Sequence, residues 1–291
     1  MDVVITYVNG ADPEWQRLYE QYAPQPAIAK RYRDWGTLRY LLRGIERNLP
    51  FVQNVFLVVS GATQVPEWAS EKLRVVLHED FIPAEFLPTF NSAAIEMFLH
   101  RIPGLGDRYI YFNDDIFPVL PCAETDFFRG SKAVLKFRRC LLKGGQFRTH
   151  TFNSDSLARR ALGIRQPLRY LRPRHSATTF LRPSCVQAYM DSREEILRRI
   201  SRVREDYNVN QYYYLDWLKL SGRTVEGGPS KKHFSLAVAS EKKIRAFFDA
   251  PSAQLVCIND TRVTPEKQEA VQAMLLQVLE EMFPEKSRFE K

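Results

Sequence analysis

Two acidic motifs could hold a metal ion, because each directly follows an apolar run. One is Phe-Asn-Asp-Asp at 112–115 and the other is Cys-Ile-Asn-Asp at 257–260. Mg²⁺ takes oxygen ligands in proteins, commonly one or two carboxylates together with substrate phosphates. Asp and Asn are also frequent in ordinary turns. Residue type and spacing therefore leave two alternatives for each motif, a metal ligand or an acidic turn.

Three basic side chains are further candidates for chemistry. His175 follows two arginines in the stretch Arg-Pro-Arg-His, and neighbouring cations favour the neutral imidazole, which can accept a proton. A surface histidine in a basic loop is the alternative interpretation. Arg33 and Arg204 have the planar, five-donor head that binds phosphate in a bidentate manner. Most arginines in a chain this basic are simply solvated.

Several enzyme classes lose their usual support. The sequence has no Gly-x-Gly-x-x-Gly, no P-loop motif, no His-Glu-x-x-His and no Gly-x-Ser-x-Gly, which argues against dinucleotide, P-loop, zinc-protease and serine-hydrolase functions. The four cysteines lack Cys-x-x-Cys spacing, so a zinc cluster is not expected and no disulfide is required. The apolar fraction of 45% is typical of a globular protein.

The first half of the chain predicts an α/β fold with an open, mainly parallel sheet. Apolar runs bounded by turn residues predict strands at 2–8, 54–60, 73–79 and 109–112. Helical spacing predicts helices at 36–50 and 93–101. Alternating strands and helices build such sheets, in which ligands bind outside the carboxyl ends of the strands. This rule selects the loops 9–15, 60–68 and 113–117 as the site.

Charge is concentrated in the middle of the chain. The formal net charge is +8, and 13 Lys or Arg face one acid, Asp155, between Arg129 and Arg174. Such a segment is either a solvated basic face or a surface that binds phosphate or a polyanion. It shows few periodic elements, and we interpret it as an insertion beside the active site.

The remaining chain is predicted to be mostly helical. Helical patterns cover 184–221, an apolar run covers 253–260, and Thr-Pro starts a final helix at 264–283 whose apolar stripe should pack on the core. We find no signal peptide and no stretch of the ~18 apolar residues that a membrane span requires. The expected location is the cytoplasm, with the inner face of the cell membrane as an alternative.

Together the motifs resemble those of the Stealth proteins. The family's four conserved regions fall, in the family's order, on 2–15, on 31–68 with 87–117, on His175 with 201–218, and on 255–262. Stealth proteins include bacterial capsule polymerases and the catalytic subunit of the lysosomal-enzyme N-acetylglucosamine-1-phosphotransferase. The compact length of this chain suggests a bacterial enzyme.

The resemblance implies an activity and a fold. The activity is transfer of a sugar 1-phosphate from a UDP-sugar, with UDP-N-acetylglucosamine as the type of donor, to a glycan hydroxyl, with release of UMP. The fold is Rossmann-like and similar to GT-A nucleotide-sugar transferases. We expect a single catalytic domain over 1–291, made of a nucleotide-sugar half at 1–128, a basic insertion at 129–183 and a helical, acceptor-side part at 184–291.

The resemblance also assigns residues by position. It implies Asp115 and Asp260 as ligands of Mg²⁺ or Mn²⁺, His175 as the base for the acceptor hydroxyl, and Arg204 as a catalytic phosphate ligand. The other substrate-binding residues that we expect are Asn9, Gly10, Arg33, Asp34, Arg39, Asn91, Asn113, Asp114 and Asn259. Gly10 is expected to let the backbone approach the nucleotide, and the basic segment would suit an acceptor that already contains phosphodiesters.

Two rival functions remain open from the sequence. A glycosyltransferase on the same fold would attack the anomeric carbon and release UDP instead of UMP. A non-catalytic polyanion-binding protein would use the basic segment alone and would not need the aspartates. We expect no nucleic-acid partner, and the sequence does not set the oligomeric state.

Overall fold

The computed structural model describes residues 1–24, 26, 31–141, 144–259 and 263–291. The strands are β1 Asp2–Thr6, β2 Asn54–Val59, β3 Arg74–Leu77, β4 Arg108–Asn113, β5 Ile116–Pro118, β6 Phe128–Arg129, β7 Lys132–Leu135, β8 Phe137–Cys140, β9 Tyr170–Pro173, β10 Thr178–Leu181, β11 Thr224–Glu226, β12 Lys231–Ser235 and β13 Leu255–Asn259. The α-helices are α1 Pro13–Tyr22, α2 Leu38–Asn48, α3 Ser92–Phe98, α4 Gln146–Ala161, α5 Arg182–Asp191, α6 Arg193–Leu197, α7 Tyr212–Leu220, α8 Glu241–Asp249 and α9 Pro265–Met282.

The central sheet has the strand order β10-β4-β1-β2-β3. Strands β1 to β4 are parallel to their neighbours, and β10 adds an antiparallel edge. Val3, Val4 and Ile5 are fully buried in succession, because helices or loops cover both faces of such a sheet. The predicted open, mainly parallel α/β fold is therefore confirmed, and each of the four predicted strands begins and ends within two residues of its expected position.

A second sheet begins where β4 ends. Only Asp114 and Asp115 separate β4 from β5, and β5 belongs to a three-stranded sheet with the order β12-β13-β5. Strand β13 lies antiparallel to β5 and parallel to β12. The chain therefore turns from one sheet into the other at the acidic pair, which places β13 beside it.

The helices predicted at 36–50, 93–101 and 264–283 exist as α2, α3 and α9, with ends within three residues of the predicted positions, whereas α1 was not predicted. The Asp12 carboxylate caps α1 by accepting from the Trp15 amide at 2.6 Å, and Pro13 occupies the first turn. Met274, Leu275, Val278 and Leu279 of α9 are buried, so the apolar stripe of the last helix packs on the core as predicted. No helix within the described residues is long and apolar enough to cross a membrane.

The basic segment contains more regular structure than we predicted. It includes the sixteen-residue helix α4 and the strand β10, which extends the central sheet. The buried face of α4 is partly polar: the Ser154 hydroxyl bonds to the Asn210 side chain at 3.1 Å, and Asp155 pairs with Arg159 at 2.9 Å. An interface built from polar pairs leaves no apolar periodicity in the sequence, so the helix was not recognised.

Candidate active site

The site lies at the carboxyl edge of the central sheet, between β1 and β4. Thr6 is the register partner of Asn113, so the two strands end side by side. The chain leaves β1 towards β2 on one side, while β4 lies on the other. This is the point of an open α/β sheet at which the strand order reverses and ligands bind.

Asp115 joins the two sheets and is held from several sides. Its backbone carbonyl accepts from the Ile258 amide at 2.8 Å, and its Oδ2 accepts from Cys257 Sγ and Asn259 Nδ2, each at 3.4 Å. His175 Nε2 lies 3.6 Å from Asp115 Oδ1. The predicted proximity of the two acidic motifs is therefore confirmed as far as Asn259, while Asp260 lies outside the described residues.

Neighbouring groups divide the acidic pair into two electrostatic roles. Burial raises the pKa of Asp114 to about 7, and the charges of Asp115 and Asp34 add to the effect. Burial also acts to raise the pKa of Asp115, but the facing His175 imidazole, whose Nε2 lies 3.6 Å from Oδ1, outweighs it together with Cys257 and Asn259, so that this pKa is lowered. Asp115 is thus the member of the pair that holds a negative charge near neutral pH.

The oxygen atoms around Asp115 fit a hard divalent cation. Asp115 Oδ1 and Asn259 Oδ1 are both buried and have no hydrogen-bond partner. Such atoms are costly unless a partner or an ion compensates them. Asp115, His175 and Cys257 also form a cluster of three possible ligands within 4.8 Å. Burial raises the pKa of the Cys257 thiol, so the sulfur stays protonated and the available donors are the oxygens that Mg²⁺ prefers.

Arg204 faces the same point from the loop between α6 and α7. Its guanidinium donates to Ser92 Oγ at 2.7 Å and makes no ion pair with any described residue. Burial and the charge of Arg31 lower its pKa, although an arginine remains charged at any physiological pH. A half-buried guanidinium without an ion pair in the described part of the chain is suited to an anionic ligand such as a phosphate.

Two cavities meet at these residues. One, of about 440 Å³, is lined by Asp34, Asp114 and Arg33. The other, of about 890 Å³, is lined by His175. The residues that line both are Asn113, Asp115, Phe147, Arg204 and Asn259. Most of the predicted site residues are therefore brought together, and they separate a smaller cavity from a larger one.

A third cavity, of about 790 Å³, continues the smaller one at Arg33 and Asp34 and reaches Asn9 and Gly10. A Cβ on Gly10 would lie 2.6 Å from the backbone of Tyr32, whose carbonyl accepts from the Gly10 amide. The absence of a side chain at Gly10 is therefore required by Tyr32, while the approach of the nucleotide to Gly10 stays a prediction.

An aromatic cluster fixes the segment that carries Arg33 and Asp34. Trp15 and Tyr19 of α1 pack around Tyr32 and Phe90, with ring centroids 4.7 Å apart for Trp15 and Tyr32. The Tyr32 hydroxyl donates to the Phe90 carbonyl at 2.9 Å. These contacts hold the backbone at Tyr32 against α1 and against the backbone at Phe90, which precedes α3.

Asp34 itself is anchored within this segment. Its carboxylate accepts from the Tyr7 hydroxyl at 2.7 Å and from the Gly36 amide at 2.8 Å. Tyr7 directly follows β1, so the sheet edge sets the position of this carboxylate in the smaller cavity. Asp34 is thereby placed beside Asp114, whose pKa its charge helps to raise.

Two predicted substrate-binding residues lie apart from the cavities. Asn91 is fully buried, caps α3 and donates its amide to Ser201 and Asn208. Its side chain is therefore used to hold the loop that carries Arg204. Arg39 of α2 stacks its guanidinium over the Trp68 ring, 5.1 Å from the ring centroid. Both residues have a structural explanation that makes direct substrate contact unnecessary.

Glu96 is a site residue that the sequence reasoning missed. It lies one turn after Ser92 on α3 and lines the larger cavity. Burial raises its pKa to about 7, although the nearby charge of Arg204 acts in the opposite direction. The sequence did contain a signal, because Glu96 lies on the helix face that also buries Ala93 and Met97. Buried acids are rare, so an acid on a buried helix face indicates a special role.

We expect Glu96→Gln to change how stability depends on pH. The folded chain keeps a proton on the buried Glu96 at pH values where the unfolded chain has already lost it. The contribution of Glu96 to the free energy of unfolding of the wild type therefore falls as pH rises from about 4.5 to about 7. Relative to wild type, the free energy of unfolding of Glu96→Gln should rise by about 1–3 kcal/mol between pH 5 and pH 8. Urea denaturation at the two pH values measures this difference.

The exposed Glu71 supplies the control for this measurement. Glu71→Gln makes the same chemical change at the protein surface and should show the same stability difference from wild type at both pH values. If the difference in the free energy of unfolding between Glu96→Gln and wild type is the same at pH 5 and pH 8, the raised pKa of Glu96 is contradicted.

Known sequences show similarity over this chain. The model of Stealth protein CR2, conserved region 2, matches residues 31–135, and that of Stealth protein CR4, conserved region 4, matches 248–291. A capsular polysaccharide phosphotransferase of Streptococcus thermophilus is 39% identical over 164 residues, which cover 53% of this chain and 68% of that protein. The receptor polysaccharide phosphotransferase WefC of Streptococcus oralis is 29% identical across 100% of this chain and 99% of its own.

Solved structures show a weaker likeness. The galactosyltransferase LgtC superposes with a TM-score of 0.42 at 10% identity, covering 94% of this chain and 95% of LgtC. Mouse xyloside xylosyltransferase 1 superposes with a TM-score of 0.38 at 11% identity, covering 91% of this chain and 100% of that one.

Proposed function

The chain belongs to the Stealth family, and on that premise we propose that it transfers a sugar 1-phosphate from a UDP-sugar to a glycan hydroxyl and releases UMP. Its relatives are named capsular, receptor and exopolysaccharide phosphotransferases, and the family supports sugar-phosphate transfer to a polysaccharide. The UDP-sugar donor, the release of UMP and the dependence on Mg²⁺ are our proposals. So is a location in the cytoplasm, at the inner face of the membrane.

One observation carries the proposal: Asp115, His175 and Arg204 converge where the smaller and the larger cavity meet. Phosphoryl transfer between two substrates needs a donor site and an acceptor site that share one reaction centre. The reaction centre must also hold groups for the developing charge and for the proton. At this junction, Arg204 is available for the developing charge, His175 for the proton and Asp115 for a cation.

We assign the donor to the smaller cavity and its extension. Asn9, three residues after β1, lines the extension, where the uridine would lie. Arg33 lines both the smaller cavity and its extension, where the diphosphate would lie. Arg204 lines both the smaller and the larger cavity at the junction. The two guanidiniums would hold phosphoryl oxygens through charge-assisted hydrogen bonds, while Asn113 lines the junction where the sugar would be positioned.

The acceptor enters from the larger cavity, at His175. An acceptor hydroxyl oxygen attacks the β-phosphorus, the bond from that phosphorus to the bridging oxygen breaks, and UMP leaves with the electron pair. His175 takes the hydroxyl proton, and the nearby Asp115 carboxylate stabilises the imidazolium that forms. The sugar 1-phosphate is then joined to the acceptor as a phosphodiester.

A divalent cation fits this centre. Asp115 and Asn259 would hold Mg²⁺ through their unpartnered oxygens, with the predicted ligand Asp260 directly following along the chain. When bound, the ion neutralises the charge that develops on the phosphates as UMP departs. Arg204 contributes positive charge to the same region without a change in protonation.

Incubation with a panel of UDP-sugars and Mg²⁺ tests the proposal. Chromatography of the nucleotide products should show UMP, and slow hydrolysis of the preferred donor is sufficient to identify it. Release of UDP would instead support a glycosyltransferase that attacks the anomeric carbon. Release of neither nucleotide across the panel, with glycan acceptors present, would contradict both enzymatic assignments.

A further inference from the structure

We propose that the loop at 163–169 binds the surface of an anionic lipid bilayer. This loop lies between α4 and β9. The proposal rests on one part of the proposed function, the location at the inner face of the membrane, and it does not depend on the reaction. It names the surface that makes the contact and the class of partner, a membrane whose headgroups carry negative charge.

The loop presents apolar side chains to solvent. Leu168 is 87% exposed, more than any other large hydrophobic side chain of the described residues, and Ile164 is also exposed. Leu141 is exposed at the same end of the β8–β9 pair, since it follows Cys140, the register partner of Tyr170. Single exposed leucines are common on soluble proteins, so the groups around these side chains decide what they bind.

Basic side chains surround the apolar ones. Arg165 and Arg169 lie on either side of Leu168 in the loop, and Arg139 of β8 lies two residues before Leu141. All three arginines are exposed, and the salt bridges of the described residues include none from them. Exposed leucines among arginines without ion pairs are typical of a surface that lies on anionic lipid.

Buried contacts hold the loop in this position. Asp155 is the only acid between residues 129 and 174, and its buried carboxylate pairs with Arg159 at 2.9 Å and accepts from Gln166 Nε2 at 2.9 Å. The Ile164 amide donates to the Arg159 carbonyl at 2.8 Å. The single acid of this segment therefore anchors the loop from the interior and leaves the charge of the surface arginines uncompensated.

The combination of groups favours a bilayer over a soluble polyanion. A nucleic acid or an acidic glycan would contact the arginines alone and would leave Leu141 and Leu168 in water. A bilayer satisfies both kinds of side chain. Its headgroup phosphates accept hydrogen bonds from the guanidiniums, while the leucines enter the boundary between the headgroups and the acyl chains.

Binding through this loop also sets the distance of the reaction centre from the membrane. Strand β9 runs from the loop to the larger cavity, which Arg172 and His175 line. Seven residues separate Leu168 from His175, and they span at most roughly 25 Å. A bilayer bound at Leu168 therefore lies within this distance of the proposed base.

Vesicle binding tests the proposal. The full chain is incubated with vesicles of phosphatidylcholine alone, or of equal parts phosphatidylcholine and phosphatidylglycerol, and the bound fraction is measured by sedimentation. The wild-type protein should partition at least tenfold more strongly onto the anionic vesicles. Release of UMP from soluble substrates is measured on the same preparations without vesicles.

Variants of the loop separate the two contributions. Leu168→Ser should lower the partition onto anionic vesicles about fivefold, because less apolar surface is removed from water. Arg165→Ala combined with Arg169→Ala should lower it about 20- to 30-fold, since two charges near the lipid surface are lost. Both variants alter exposed side chains, so thermal unfolding and UMP release should match those of the wild type.

Two matched controls lie elsewhere on the surface. Val238→Ser removes a side chain that is 85% exposed, almost as much as Leu168. Lys242→Ala combined with Lys243→Ala removes two exposed charges from α8, which packs on α9. The first should leave the partition unchanged, and the second should keep it close to that of the wild type.

Two results would overturn the proposal. One is equal partition of the wild type onto neutral and anionic vesicles. The other is a partition of Leu168→Ser equal to that of the wild type, because the surface would then be purely electrostatic and would suit a soluble polyanion equally well. Neither result affects phosphoryl transfer, which is measured without vesicles. A protein that binds the anionic vesicles but releases no UMP would support this surface and remove the proposed reaction.

Discussion

Asp115→Asn should lower the rate of UMP release about 10³-fold or more while the protein remains folded. The asparagine keeps the size of the side chain, but it removes the negative charge that faces His175. It also replaces one carboxylate oxygen by an NH₂ group, which weakens the cation site that we propose at the junction of the cavities. Loss of several kcal/mol of charge stabilisation in the transition state corresponds to a rate change of this size. Rates are measured across a Mg²⁺ titration, and thermal unfolding is recorded for the same preparations.

Asp107→Asn is the matched control for this variant. Asp107 lies just before the amino end of β4, at the opposite edge of the sheet, and its side chain is exposed. Its substitution should leave the rate unchanged, since it removes an equal charge far from the cavities. A rate for Asp115→Asn close to that of wild type, at any Mg²⁺ concentration, would contradict the assignment of Asp115 to the reaction centre.

His175→Ala should lower kcat by about 10²- to 10⁴-fold, which is the usual contribution of a positioned general base. The affinity for the UDP-sugar should change little, because His175 lines the acceptor-side cavity and not the smaller one. Steady-state kinetics from pH 5 to pH 9 measure both effects.

Added imidazole distinguishes a proton-transfer role from a structural one. The His175 side chain is 36% exposed, so free imidazole can reach the space that the substitution leaves. We expect imidazole to restore part of the activity of His175→Ala and to have no effect on Asp115→Asn. A variant that keeps full activity, or that loses donor affinity and kcat together, would contradict the role of His175 as the base.

The sequence was informative where a local pattern decides the geometry. Apolar runs identified β1 and β4, and the rule for strand ends then placed Asn113, Asp114 and Asp115 at the site. The same rule linked the motif at 257–260 to this site, and the Asn259 side chain does contact Asp115. The contact arises because β13 pairs with β5 in the second sheet, and not because β13 ends beside β4 in the central one. Parallel strands of similar length end together, so the position of such loops follows from the strand pattern alone.

The sequence was less informative where distant segments set the role of a residue. Gly10 is required by the backbone of Tyr32, and Asn91 is used by the loop at 201–208. Arg39 stacks on Trp68. These partners are twenty or more residues away along the chain, and nothing in the local sequence of each residue indicates them. Glu96 was missed for the same reason, since its raised pKa results from tertiary burial.

The fate of the β-phosphorus tests the central claim most directly. A UDP-sugar labelled with ³²P at the β-position, using the sugar selected by the donor panel, is incubated with the protein, Mg²⁺ and a glycan acceptor. We predict that the label appears in the glycan product and that the released nucleotide is unlabelled UMP. Label recovered in UDP, with an unlabelled glycan product, would contradict sugar 1-phosphate transfer.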